Sequence, residues 1–236
     1  MVASSSQTPA IIYPDSDGQP MADNTLQFEW IVTLKENLEL LFAEDPQVFI
    51  AGDLLWYPLE GNNTLRRAPD AMVVFGRPKG YRGSYQQWLE GNIAPQVVFE
   101  ILSPSNRLGE MAQKFAFYQT YGVEEYYIYD PHAQDLSGWL RRDSLLAPIE
   151  GIENWVSPRL QIRFELLSDS LKLWRPDGQP FLTFGELDRC RCQAELEAER
   201  AKLDAQQAQL RAISAEERAE KLAAYLRSLG VNPEEI

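Results

Sequence analysis

Histidine and cysteine are scarce in this chain of 236 residues, which holds one histidine, His132, and two cysteines, Cys190 and Cys192. A single imidazole excludes an HExxH pair, a Cys–His cluster and a His-rich zinc site. A Ser-His-Asp or Cys-His mechanism would have to use His132, which lies in the turn "DPHAQD", a surface setting. The cysteines are two residues apart in a helical stretch and point to different sides, so they are expected as free thiols. No run approaches the roughly 18 consecutive apolar residues of a membrane span. The first twenty residues lack the basic stretch and apolar core of a secretory signal. The cytoplasm is the expected compartment, with no membrane partner. Positive charge is short as well: 22 Lys and Arg against 35 Asp and Glu leave a net charge of −13. That weighs against simple electrostatic binding of nucleic acid. It leaves room for a phosphodiester substrate, because a bound divalent metal inverts the local charge of an acidic site.

Three parts are expected: a flexible leader over residues 1–20, an α/β domain over 21–185, and a charged C-terminal helix over 186–236. In "DNTLQFEWIVTLKENLELLFA", apolar residues near 28, 31, 34, 38, 41 and 42 have helical spacing, with Asp23 or Asn24 as N-cap. "QVFIAGDLLWYP" reads as a strand, as does "AMVVF" between Pro69-Asp70 and Gly76. Ser84 and Gln87 fit a capping box for a short helix. The run "VVFEI" reads as a buried strand, followed by the turn "SPSNR" and a helix over 109–121. "VEEYYIYDP" is a Tyr-rich strand, and later strands fall in "LSGWLRR", "RLQIRFEL" and "SLKLWRP". The order implies a mixed sheet with helices packed on it. From Glu186 onward the chain reads as one long helix. Leu196, Leu203 and Leu210 recur every seven residues with polar companions Glu199 and Gln206, a weak heptad seam. That seam makes a homo-oligomer, a dimer, the expected assembly.

The chemistry concentrates on two acids. Glu100 interrupts an apolar strand, where an ionised carboxylate is expensive. Asp70 opens a strand about thirty residues earlier. Two carboxylates on adjacent strands can converge on one cation, and Mg²⁺ typically takes one or two protein carboxylates plus waters. Helical projection places Met111, Phe115, Tyr118 and Tyr121 on one stripe and Lys114 inside it. A lysine facing the sheet needs a partner, and its side chain can return to the same carboxylates. Two acids and a lysine are the parts that bind a metal, position water and stabilise charge on a cleaved phosphodiester. The bland alternative has Asp70 capping a turn, Glu100 pairing with an arginine and Lys114 extending to solvent along apolar surface.

"APDAMVVFG", "APQVVFEILSPSN", "KFAFYQTYGVEEYYIYDP" and "WVSPRLQIRFEL" resemble, in order and spacing, the Uma-type (Uma2) restriction endonucleases of the PD-(D/E)XK nuclease superfamily, over residues 20 to 185. The resemblance implies a restriction-endonuclease-like mixed β-sheet core of four strands flanked by helices, a nuclease domain over 21–185 and a long C-terminal helix. It implies a Mg- or Mn-dependent endonuclease cutting DNA, with Asp70, Glu100 and the Ile101 carbonyl as metal ligands. The usual lysine two residues after the acid is Leu102 here, and the resemblance assigns its role to Lys114 on the following helix. It also suggests supporting acids: Glu29 first and Glu36 second on the first helix, and Asp53. Arg66, Arg67, Arg77, Lys79 and Arg82 surround the Asp70 strand and are the best local basic group for a DNA backbone. The missing E-x-K lysine, the acidic surface and the long helix motivate the other reading, a non-catalytic nuclease-fold module that binds or assembles through its C-terminal helix.

Overall fold

A computed structural model describes residues 11–167 and 170–230. The chain divides into two compact units, residues 1–183 and 184–236. The first holds helices α1 (Thr25–Leu41) and α2 (Leu108–Thr120) and ten strands: β1 (Val48–Ala51), β2 (Trp56–Tyr57), β3 (Ala71–Phe75), β4 (Tyr85–Gln86), β5 (Val97–Ile101), β6 (Glu125–Asp130), β7 (Asp135–Arg142), β8 (Leu145–Pro148), β9 (Arg163–Leu166) and β10 (Leu171–Trp174). The second is a single helix, α3 (Phe184–Ser228), none of whose residues is buried. Among the described residues no helix is long and apolar enough to cross a membrane.

The main sheet runs β1-β3-β5-β6-β7-β8. Its one parallel pair, β5 with β6, is the pair joined through α2, as a parallel connection requires. The six strands exceed the four that the resemblance implies, because a β7–β8 hairpin extends the sheet past β6. Both faces are covered, so β5 is buried along its whole length, as a continuous apolar run demands. Period-two alternation sends Val97, Phe99 and Ile101 to the face packed on Ile31, Leu34 and Leu38 of α1. Val98 goes to the opposite face with Phe117 and Tyr118 of α2. Glu100 shares that second face by the same alternation.

Local chemistry corrects three sequence expectations. "QVFIAGDLLWYP" is not one strand: Asp53 takes a left-handed φ of 48°, its amide donates to the Pro69 carbonyl at 3.0 Å, and the chain turns between β1 and β2. Ser84 caps no helix, since Tyr85 and Gln86 are drawn into a parallel bridge with β2 and only a 3₁₀ turn over Gln87–Glu90 follows. On α1, Asn24 is the N-cap, accepting from the Gln27 amide at 2.9 Å. The buried face there begins at Gln27, while Phe28 is 49% exposed.

Residues 1–10 of the expected leader lie outside the described residues. Beyond them, the chain is tied down at Ile12, Tyr13 and Pro14, whose carbonyls or hydroxyl bond Asn63, Gly61 and Tyr57.

Candidate active site

Sheet register brings the two acids together. Ala71 pairs with Phe99 across the antiparallel β3–β5 ladder, and continuing that register sets Asp70 across from Glu100. Both side chains point to the α2 face. Asp70 is 8% exposed and Glu100 2%. Lys114, two turns into α2, donates from Nζ to Glu100 Oε2 at 2.7 Å, and Tyr118, one turn further on, donates from its hydroxyl to Oε1 at 2.5 Å. Asp70 Oδ2 accepts the Ile101 amide at 2.6 Å. Both oxygens of the buried Glu100 therefore have donors, one of them cationic, which is what the apolar strand requires of it.

The charge balance of the cluster is negative. Burial, and then the neighbouring Glu100 charge, push the Asp70 carboxyl well above its usual range, against the pull of Lys114. Burial alone would lower the Lys114 ammonium, but Glu100 and Asp70 outweigh it and hold it at about 12. Asp53 is half-buried and also raised, first by burial and then by Asp17, with Lys114 opposing. Asp53, Asp70 and Glu100 thus share one lysine. A further cation would relieve the excess, and an all-oxygen donor set suits a hard ion such as Mg²⁺ or Mn²⁺. Among the described residues no three His, Cys, Asp or Glu side chains group closely enough to hold a metal. Any ion must therefore be completed by two carboxylates with carbonyl oxygen and water, a set Mg²⁺ accepts.

The cluster opens on a cavity of about 700 Å³ lined by Gln27, Asp53, Arg66, Arg67, Asp70 and Lys114, among others. Glu100 is not among its lining residues; Lys114 and Tyr118 cover it. Of the five basic residues around the Asp70 strand, only Arg66 and Arg67 face this cavity. Neither has a carboxylate partner within ion-pair distance among the described residues. Lys79 is paired with Glu39 at 2.9 Å, Arg82 with Glu90 at 2.6 Å, and Arg77 lies 3.9 Å from Glu90.

Glu29, expected as a supporting acid, is exposed and does not line the cavity; Glu36 pairs with Lys35 on the surface at 3.0 Å. The α1 residue at the site is Gln27, one position round the helix from Phe28. Its Nε2 donates to the Ile101 carbonyl at 2.8 Å, and its Oε1 accepts the Asp23 amide at 2.8 Å. The Ile101 carbonyl, expected as a metal ligand, thus already carries one hydrogen bond. The "SPSN" turn completes this wall: Ser103 and Ser105 hydroxyls donate to Asp23, and the Ser103 amide donates to Asn106 Oδ1 at 2.7 Å. Gln27 was visible in the sequence, for 27, 31, 34 and 38 have helical spacing, with a polar residue leading the stripe. Tyr118 left no such signal, since a tyrosine in an apolar stripe reads as core. Leu102 is half-buried and its amide is used by the Tyr129 carbonyl at 2.8 Å.

The Uma2 family, described as "Putative restriction endonuclease", matches residues 16–175, a span that includes Asp70, Glu100 and Lys114. No curated protein matches. A crystal structure of "a putative nuclease belonging to DUF820" from Anabaena variabilis is 12% identical, covering 57% of this chain and 72% of its own, with a TM-score of 0.43. With the family match spanning more than half of its length, the chain belongs to the Uma2 family.

Proposed function

We propose that this protein is a metal-dependent endonuclease that hydrolyses DNA phosphodiester bonds, with Asp70, Glu100 and Lys114 as its catalytic residues. The observation that carries the reading is the convergence of two strand carboxylates and one buried lysine at the edge of an open cavity lined by two arginines that have no carboxylate partner among the described residues. Asp70, Glu100 and the free lone pair of the Ile101 carbonyl are the groups that would hold Mg²⁺ or Mn²⁺. Bound there, the ion would acidify a water and neutralise charge on the phosphate. Arg66 and Arg67 meet the DNA backbone at the cavity mouth, offsetting locally the chain's net charge of −13. Lys114, released from Glu100 Oε2, turns its ammonium to the attacking water or to the developing phosphorane charge. Tyr118 keeps its hydrogen bond to Oε1 and holds Glu100 in place during that exchange. Asp53 adds a third carboxylate to the cavity wall.

A second reading, a nuclease-fold module that binds or assembles without cutting, is favoured by one observation: Lys114 and Tyr118 already occupy both oxygens of Glu100. Purified full-length protein incubated with supercoiled plasmid and Mg²⁺ or Mn²⁺ separates the two. The nuclease reading expects nicking that chelator stops and that Asp70→Ala and Glu100→Ala each abolish. Plasmid left intact by the folded wild type with either metal favours the module. Nicking that survives both substitutions overturns the assignment of roles.

A further inference from the structure

Helix α3 is 45 residues long and carries no buried residue. At about 1.5 Å per residue it extends roughly 68 Å. A helix of that length has little reason to persist unless one of its faces finds a partner. The heptad through Leu196, Leu203 and Leu210 does not supply one. Their companions on one side are Glu199 and Gln206, and on the other Arg200 and Gln207. A second, regular seam runs along the opposite side. From Leu187 the steps alternate strictly four and three, and twelve of the thirteen positions reached up to Leu229 are apolar. Alanine holds every one of them from Ala194 to Ala219, while Leu187, Leu222, Leu226 and Leu229 hold the ends. The one exception, Arg191, is paired with Asp188 on its own helix at 2.8 Å. In heptad terms this seam is a and d, and Leu196, Leu203 and Leu210 fall at f, on the outer face.

We infer that a second copy of this chain covers the seam, as a parallel, in-register two-stranded coiled coil. The flanking charges specify both the occupant and its direction. In a parallel pair, each g residue meets the e residue five positions on in the other helix. Glu197 then meets Lys202 of the second copy, and Arg211 meets Glu216. The remaining contacts within the helix, Cys190 with Glu195, Asp204 with Gln209 and Arg218 with Ala223, bring no like charges together. In an antiparallel pair centred on the alanine run, Glu197 would meet Arg218 and Asp204 would meet Arg211, but Glu195 would face Glu216 twice, so only the parallel register is free of like-charge contacts. Alanine's small side chain also lets a second helix approach closely along the seam. Parallel pairing sets the N-termini of both helices at the same end of the coil.

Sedimentation or light scattering of the full-length chain should give twice the chain mass at micromolar concentration; a wild type that stays monomeric overturns the proposal. Ala205→Glu with Ala208→Glu, which keeps helix propensity, should halve that mass. Leu196→Glu, Leu203→Glu and Leu210→Glu together should leave it unchanged. The reverse pattern would move the seam to the leucine face and also overturn it. Direction is read in a C190S/C192S background. A194C should cross-link to itself nearly completely on mild oxidation. If A194C instead couples to A219C in a mixed sample and not to itself, the helices are antiparallel and the inference fails.

Discussion

Two carboxylates lie buried in neighbouring strands of the same sheet, and they are provided for in opposite ways. Glu100 in β5, 2% exposed, is met by a lysine, a tyrosine and a second acid beside a cavity. Glu125 in β6, fully buried, has only neutral donors: the Ser157 hydroxyl at 2.5 Å, the Arg159 amide at 2.7 Å and the Tyr127 hydroxyl at 2.9 Å. Ser157 in turn accepts the Leu160 amide at 2.9 Å, and Trp155 donates to the Tyr127 hydroxyl at 2.9 Å. Glu125 is a staple that fastens the 155–160 loop to the sheet. A buried acid therefore does not mark a reactive site by itself. What sets Glu100 apart is a like charge across the ladder and a cation, Lys114, on a flexible stem.

The largest effect that separates them is on cleavage. Glu100→Gln should lower nicking by about 10²-fold or more, the order lost when a transition-state electrostatic group is removed. Glu125→Gln should leave the rate per folded molecule within a few-fold of wild type. Equal losses in plasmid assays normalised to folded protein would erase the distinction. Next is stability. Lys114→Met removes the cation while leaving its buried partner, a change that costs about 3–5 kcal/mol. Urea unfolding that shows less than about 1 kcal/mol would mean Tyr118 alone suffices for Glu100. Ser157→Ala takes one donor from Glu125 and the acceptor from the Leu160 amide, and should cost about 1–3 kcal/mol in the same measurement.

The smallest effect is on pH dependence. Burial, against three hydrogen bonds, raises the Glu125 carboxyl above its ordinary 4.5. The unfolded chain then loses this proton first as pH rises. Glu125 thus contributes stability that is present below about 4.5 and lost as pH climbs through the folded value. The wild-type minus Glu125→Gln difference in unfolding free energy should fall between pH 4 and 7. A flat difference would show that the neutral donors hold the carboxylate as well as water does. Asp23 acts with the opposite sign, since the Ser103 and Ser105 hydroxyls lower it and its contribution fades as pH drops.

Periodicity made much of the fold legible. The two acids stood out because one interrupts an apolar run, and Lys114 because it sits on an apolar stripe. The rest depended on contacts between distant segments. Glu125 follows Glu124 at a strand edge and looks like a surface pair, and two of its three donors arrive 32 and 34 residues later. Glu29 lost to Gln27 because the helix phase, set by packing of Ile31 and Leu34 on the sheet, differs by one residue from the apolar pattern that includes Phe28. The three unneeded cations at Arg77, Lys79 and Arg82 were indistinguishable from Arg66 and Arg67 until their carboxylate partners on α1 and the 3₁₀ turn were placed.

The Lys114–Glu100 pair also bears on the order of events in the life of the molecule. Where ligating side chains have no counterion of their own, metal binding and folding are coupled. Here the strand acid carries a tethered counterion from its own helix, so the polypeptide can reach its final packing in an ion-poor environment. On the metal-dependent reading, folding and metal binding would be separate steps, the first encoded in the chain and the second left to its surroundings.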